Sequence, residues 1–237
     1  MSEEIEIMDH FIAAIQAGKY EPNDKLPSEN ELADRLKVPR MTARRAYERL
    51  QELGYIYSMQ GKGSFVKDRQ QQIPLILSNA KSFSQKMVEL GFNYLSRNVL
   101  CEKVGFNPQI FALLGVSEHD AVYRIDRLRI INDQPIALHS SYVPEALFPD
   151  IRHAGKEIKS MFQYYNSKGY TEFQSDGTRL SVTYPGRHER ELLDCPILVP
   201  LLVLESSCAD KASGRMLEYS RTLYRGDSFT YVIGNNH

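Results

Sequence analysis

Leu26-Pro27-Ser28-Glu29-Asn30-Glu31-Leu32-Ala33, then Val38-Pro39-Arg40-Met41-Thr42-Ala43-Arg44-Arg45-Ala46, then Leu50-Gln51-Glu52-Leu53-Gly54-Tyr55-Ile56, then Gly61-Lys62-Gly63-Ser64-Phe65-Val66 are the four stretches that decide the architecture. Ser28 with Glu31 three residues later forms a capping box, which starts a helix. Leu32, Ala33 and Leu36 supply its apolar face, and Lys37-Val38-Pro39 stops it, because the residue before proline leaves the helical region. A second helix runs from about Arg40 to Leu53 and ends at Gly54. Ala43, Ala46, Tyr47 and Leu50 recur at helical spacing and form its buried stripe. Thr42, Arg44, Arg45 and Arg49 fall away from that stripe, with Arg40 at the helix start. Tyr55 to Met59 and Ser64 to Lys67 read as short strands around the turn Gln60-Gly61-Lys62-Gly63. Upstream, Ile5, Met8, Ile12 and Ile15, with Phe11, mark an earlier amphipathic helix that Gly18 ends. Three helices followed by a hairpin make a winged helix-turn-helix pattern.

Charge follows the same division. Residues 1–34 hold two basic side chains against nine acidic ones, whereas residues 35–69 hold nine basic against three acidic. One side of this small unit therefore suits phosphate and the other repels it. An arginine fork can donate two hydrogen bonds to a guanine edge. Lys62 adds attraction that is independent of sequence, and Gly61 lets the backbone approach without a Cβ. Ser28 and Glu29, at a helix start, place backbone N–H groups toward a phosphate. The Gly-Lys-Gly stretch is not a nucleotide-binding phosphate loop: Ile56 replaces the first glycine of that pattern and Gly63 follows the lysine.

The four stretches resemble the DNA-binding domain of the GntR family of bacterial transcription regulators, over about residues 5–67. The resemblance implies that the third helix enters the major groove. It implies base-reading roles for Arg40 and Arg44, phosphate or base contact for Thr42, and a minor-groove approach for the wing tip at Gly61. Pro39 stands where the family often has serine.

Composition bounds the rest. The chain has 237 residues, 42% apolar and 25% charged, with a formal net charge of -1. These values exclude disorder, collagen and coiled coil. Three scattered cysteines without a C-x-x-C pair suggest neither a disulfide framework nor a zinc site, so no metal or cofactor is expected. The longest apolar run, Pro196 to Leu204, is too short for a bilayer and reads as a buried strand. No secretory leader is visible, and a cytoplasmic location with no membrane partner is the expectation.

The division expected is 1–68 for the DNA-binding unit, 69–75 for a Gln-rich linker and 76–237 for a second domain. That domain reads as α+β: one antiparallel sheet with helices on one side. Val122 to Ile130 alternates and pairs through Asn132-Asp133-Gln134-Pro135 with Ile136 to Val143. Leu198 to Cys208 and Leu217 to Tyr224 form another hairpin, and Phe229 to Ile233 is a last strand. Short helices are expected at 82–90, 107–114, 157–168 and 188–194. Arg127 and Arg129 lie two apart on one strand face, which is costly unless an anion or carboxylates accompany them. Ser82-Phe83-Ser84 opens a helix and offers N–H groups and hydroxyls to the same anion.

Ser82-Phe83-Ser84, Arg127-Leu128-Arg129, Ser141-Tyr142-Val143-Pro144 and Tyr224-Arg225-Gly226-Asp227 resemble, in order, the effector domain of the HutC subfamily of GntR regulators. This is the UbiC transcription regulator-associated domain, with a chorismate-lyase-like fold that senses rather than catalyses. The resemblance implies that Ser82, Phe83, Ser84, Arg127 and Arg129 hold an effector phosphate, and that His139, Ser160, Glu218 and Tyr224 line the sugar side. His139 stands where a glutamate is usual and Phe162 where a tyrosine is common. The whole chain then reads as a repressor, a homodimer on a palindromic DNA operator, released by a small anionic effector, with a sugar phosphate favoured. Two alternatives stand beside it: an enzyme using His139 and Glu218 as an acid/base pair, and a DNA-binding protein without an effector.

Overall fold

The computed structural model describes residues 2–68, 73–76, 83, 87, 89–175 and 177–232. The N-terminal head contains α1 (Glu3–Gln16), α2 (Glu29–Leu36), α3 (Arg40–Glu52) and the hairpin β1 (Ile56–Met59) and β2 (Gly63–Val66). Ser28 and Glu31 cap α2 reciprocally, at 3.2 and 2.7 Å, and Lys37 ends it in the left-handed region. Ala43, Ala46, Tyr47 and Leu50 are buried against Ile7, Phe11, Leu26 and Leu32. The Tyr47 hydroxyl reaches back to the Pro27 carbonyl at 2.8 Å, tying α3 to the loop before α2. The buried face of α1 is turned from the one the pattern predicts: Ile7, Phe11 and Ala14 are buried, while Ile5 remains 44% exposed.

The C-terminal domain is built on a seven-stranded antiparallel sheet. Its strands are β4 (Tyr94–Lys103), β5 (Val122–Ile131), β6 (Gln134–Pro144), β7 (Phe173–Gln174), β8 (Thr178–Thr183), β9 (Leu201–Asp210) and β10 (Met216–Arg225). The order is β4-β5-β6-β10-β9, with β7 and β8 both on the outer edge of β9. Separately, β3 (Ile73–Ile76) and β11 (Phe229–Val232) form a parallel pair.

Helices cover both faces of the sheet, not one. On one face α5 (Ile151–Ala154) and α6 (Met161–Ser167) pack on Tyr123, Ile125 and Val143. Further along this face, Ile73, Met87 and Phe229 cover Ile131, Ala137 and Tyr224. On the opposite face α4 (Pro108–Leu114) covers Val122 and Tyr219, and α7 (Arg187–Leu193) covers Leu128, Leu138, Val203 and Leu223. Near-continuous burial along β5 and β6 is the signature of a two-sided sheet.

Three sequence expectations need correction, and one strand has no counterpart among them. Ile73 to Leu75, placed in the linker, belong to β3, because Ile73 is buried against Phe229; residues 69–72 lie outside the described residues. The run Pro196 to Leu204 becomes strand only at Leu201, since Pro196 and Pro200 hold the preceding residues in a turn. The helix expected at 157–168 begins at Met161, with Ser160 as its N-cap. Strand β4 escapes the alternation test because a bulge between Asn98 and Leu100 breaks its period. The helix expected at 82–90 lies largely outside the described residues, of which Phe83, Met87 and Glu89 are helical.

Candidate functional site

The arginines of α3 and the lysine at the wing tip are exposed. Arg40 contacts Glu29 at 3.3 Å, and Arg44 contacts Glu48 one turn along α3 at 2.8 Å. These are solvent-exposed pairs, worth little and readily exchanged for phosphate or a base edge. Arg45 is exposed and has no ion-pair partner among the described residues. Thr42 is half-buried in the first turn. Gly61 turns the hairpin with φ of 73° and leaves Lys62 exposed at the tip. The capping box occupies the Ser28 N–H and one lone pair of its hydroxyl, so Ser28 keeps chiefly its hydroxyl proton for a phosphate.

Met41 carries no role in the sequence pattern, yet it is 55% exposed. At 100° per residue it lies opposite the stripe formed by Ala43, Ala46, Tyr47 and Leu50. The most outward position of the first turn is therefore apolar, flanked by arginines.

The second site is a polar band crossing one face of the large sheet, between two apolar clusters. Register places Arg127 opposite His139, and His139 opposite Thr222. Arg127, Arg129, Ser141, Glu218 and Thr222 are all buried. Arg127 donates through Nη2 to Ser141 Oγ at 2.5 Å. Arg129 donates through Nη1 to the Tyr94 hydroxyl, to Ser96 Oγ at 2.8 Å and to the Lys159 carbonyl at 3.0 Å. The last bond fixes Arg129 beside Ser160, which caps α6. His139 Nε2 lies 3.6 Å from Glu218 Oε1, just beyond hydrogen-bonding reach.

Among the described residues, five buried side-chain polar atoms have no hydrogen-bond partner: Arg127 Nε, Arg129 Nε, His139 Nε2, Tyr165 OH and Glu218 Oε1. All belong to this band or to the helix above it. Unsatisfied buried donors and acceptors are expensive, and four of these five atoms lie in the one band. Donors predominate at the Arg127–Arg129 end, and Glu218 provides an acceptor.

Electrostatics sharpen the picture. Burial, with Arg129 alongside, brings the Arg127 guanidinium down to about 10. Burial, with Arg127 next to it, pushes the His139 imidazole down to about 4, so it is neutral at pH 7. Burial alone would raise the Glu218 carboxyl, but His139 and Arg127 outweigh it and hold the group below its ordinary value. The band thus carries two cations and one anion, a net positive charge.

Sequence-predicted residues converge here unevenly. Arg127, Arg129, His139 and Glu218 share the band, and Ser160 adjoins it. Phe83 and Tyr224 pack on each other at 6.0 Å, beside the Arg129 guanidinium, 5.8 Å above the Phe83 ring. Ser82 and Ser84 lie outside the described residues. Phe162 packs edge-on against Phe173 at 4.8 Å. Tyr94, Ser96 and Tyr165 escape the sequence pattern, and Ser141 enters it only as part of the Ser141-Tyr142-Val143-Pro144 stretch; strand register and the placement of α6 bring these residues to the arginines.

Comparison with known proteins agrees with both halves. Residues 5–66 match the model for bacterial regulatory proteins of the gntR family, and residues 89–230 match the UTRA domain. The chain belongs to the GntR family. It is a DNA-binding transcription regulator of that family, with a UTRA effector domain. The transcriptional repressor NagR of Bacillus subtilis is 28% identical over 230 residues, covering 96% of this chain and 92% of the relative. MngR of Escherichia coli, a repressor of a mannosyl-D-glycerate transport and metabolism system, is 25% identical, covering 96% and 93%. The HTH-type regulator YurK of Bacillus subtilis is 31% identical over 77% of this chain and 75% of its own length. The crystal structure of PhnF from Mycobacterium smegmatis shares the fold, with a TM-score of 0.63, 20% identity and 99% of each chain covered. Among the described residues, no helix of this GntR regulator is long and apolar enough to cross a membrane.

The buried imidazole gives a pH signature. From 6.5 down to about 4 the unfolded chain binds a proton at His139 that the folded site refuses, so stability falls as pH falls through that window. His139→Gln is expected to flatten the melting temperature against pH between these limits. A slope equal to that of the wild type would contradict the assignment.

Proposed function

We propose that this regulator is a repressor released by a small anionic effector, with a sugar phosphate favoured. The carrying observation is the pair Arg127 and Arg129, buried side by side with an unpartnered Nε each. Their forks suit a phosphate or carboxylate. His139 and Glu218 then meet hydroxyl groups, the neutral imidazole and the carboxylate offering complementary donors and acceptors. The names of the relatives support a sugar-derived effector: besides MngR they include fructoselysine utilization operon repressors. The GntR head reads DNA through α3, with Arg40, Arg44 and Arg45 toward bases and phosphates and Lys62 at the wing. Met41 contributes contact with a thymine methyl, the apolar feature of a major-groove edge.

A homodimer matches a two-fold operator. Strand β8 supports a dimer surface, since among the described residues it pairs with β9 alone and no strand lies on its outer edge. Leu180 and Val182 are exposed along it and Tyr184 just beyond it, and Val182 is 62% exposed. Antiparallel self-pairing centred on Ser181 sets Leu180 against Val182 of a second copy, keeping apolar residues on one face.

Three measurements test these readings. A panel of hexose 6-phosphates should contain a ligand that raises the melting temperature by about 5–10 °C at a hundredfold excess over its Kd. Arg127→Ala should abolish the shift, and an equal response to the uncharged hexoses would overturn the anion site. On an operator selected from random duplexes, Arg44→Ala should cost about 1–3 kcal/mol of base discrimination. One dT→dU replacement per half-site should weaken the wild type and leave Met41→Ala unaffected; indifference of both proteins to every such replacement removes the Met41 role. Val182→Asp should convert the dimer to a monomer in light scattering, and an unchanged mass would exclude β8 as the interface.

A further inference from the structure

Strand β10 links the effector site to the DNA-binding head within a few residues. Glu218, Thr222 and Tyr224 face the polar band, and the next residue, Arg225, leaves it. Arg225 is buried and grips Asp227 with two bonds, Nε to Oδ1 at 3.0 Å and Nη2 to Oδ2 at 2.8 Å. Its Nη1 donates to the carbonyls of Leu193 and Asp194, at 2.9 and 3.0 Å, at the end of α7. Gly226 donates to the Pro200 carbonyl at 2.8 Å, and a Cβ there would lie 2.7 Å from that oxygen. The turn therefore presses onto the start of β9 only with glycine at its centre. These bonds tie the residues that follow Tyr224 to Asp227, to the end of α7 and to the start of β9.

Asp227 in turn meets the head. Its Oδ2 accepts from Lys67 Nζ at 3.5 Å, and Lys67 N–H donates to the Tyr55 carbonyl at 2.9 Å, which fixes the lysine to the base of the wing. Two further contacts surround the same point. Leu198 N–H donates to the carbonyl of Glu52, the last residue of α3, at 3.1 Å. Gly54, with φ of 74°, faces Val199 so closely that a Cβ would stand 2.9 Å from its Cγ2 and 3.5 Å from Asp227 Oδ2. Glu52, Gly54 and Lys67 thus bring the end of the recognition helix and the end of the wing onto Leu198, Val199 and Asp227.

We infer that Lys67 and Asp227 are positioning residues, and that this junction carries the state of the effector site through β10 to the recognition helix. The inference rests on the repressor reading and gives it a mechanical route. It also reassigns one charge: Lys67 belongs to the basic half of the head by sequence, but its ammonium is turned onto a buried carboxylate of the other domain. A contact built from a half-buried ion pair, one backbone bond and one close glycine approach is discrete enough to be made in one state and broken in another, as a switch requires. By linkage, an effector that weakens DNA binding is itself bound more weakly, by the same factor, when DNA is bound.

The test uses the full chain and an operator duplex selected from random sequences, with hydrogen–deuterium exchange as the readout. Duplex binding should change protection in residues 194–200 and 216–227 of the wild type. Lys67→Glu sets a carboxylate against Asp227, so at saturating duplex the change in 216–227 should vanish. Lys67→Arg should retain it. Lys67→Met serves if the glutamate variant does not fold, and it answers a second question. A phosphate contact at Lys67 would lower the slope of log K against log salt by about 0.9 in that variant, whereas a junction residue leaves the slope unaltered. No change in 216–227 on duplex binding, the same change in Lys67→Glu, or a lowered salt slope would each overturn the inference. Failure to select any duplex would instead sink the repressor reading, and the junction with it.

Discussion

Two guanidinium groups are buried two residues apart on one strand, and much of the C-terminal domain is arranged around that fact. Burying like charges side by side is unfavourable unless hydrogen bonds and an opposite charge answer them. Ser141, Ser96, Tyr94 and the Lys159 carbonyl answer part of the demand, and Glu218 supplies the negative charge. What is left over is each Nε, together with one oxygen of Glu218 and one nitrogen of His139. A domain built for stability alone would place apolar side chains there, as it does at both ends of the same sheet face. That remaining polar capacity is what the proposed effector would satisfy.

The head faces a different constraint. Its core is small, and the tyrosine at the centre of α3 does double duty, packing on Phe11 at 5.6 Å and bonding to Pro27. With that face committed inward, the opposite face is free to carry Met41, Arg44 and Arg45 without structural duties. Exposed ion pairs such as Arg44–Glu48 hold the arginines loosely.

How much of this was legible in the sequence differs between the halves. The head is local: a capping box, a proline stop and an i, i+3, i+4, i+7 stripe each act within one turn of helix, so the boundaries of α2 and α3 emerge to within a residue. In the C-terminal domain the period-2 rule places Arg127 and Arg129 on one face, and the hairpin residues Asn132 and Asp133 take the positive φ values that the turn requires. It fails where the backbone departs from regularity, at the bulge in β4 and at the prolines before β9. Tyr94, Ser96 and Tyr165 are invisible for that reason: they reach the arginines through strand order and helix packing, which no local pattern encodes. His139 and Glu218, 79 positions apart in the chain, meet only because β6 and β10 are neighbours.

The central claim is that the buried arginine pair exists to hold an anion. Native mass spectrometry of the gently purified protein examines it without prior choice of ligand. The account predicts a bound metabolite carrying phosphate or carboxylate, retained by the wild type and lost from Arg129→Met. A retained molecule without an acidic group, or equal retention by the two proteins, would contradict it.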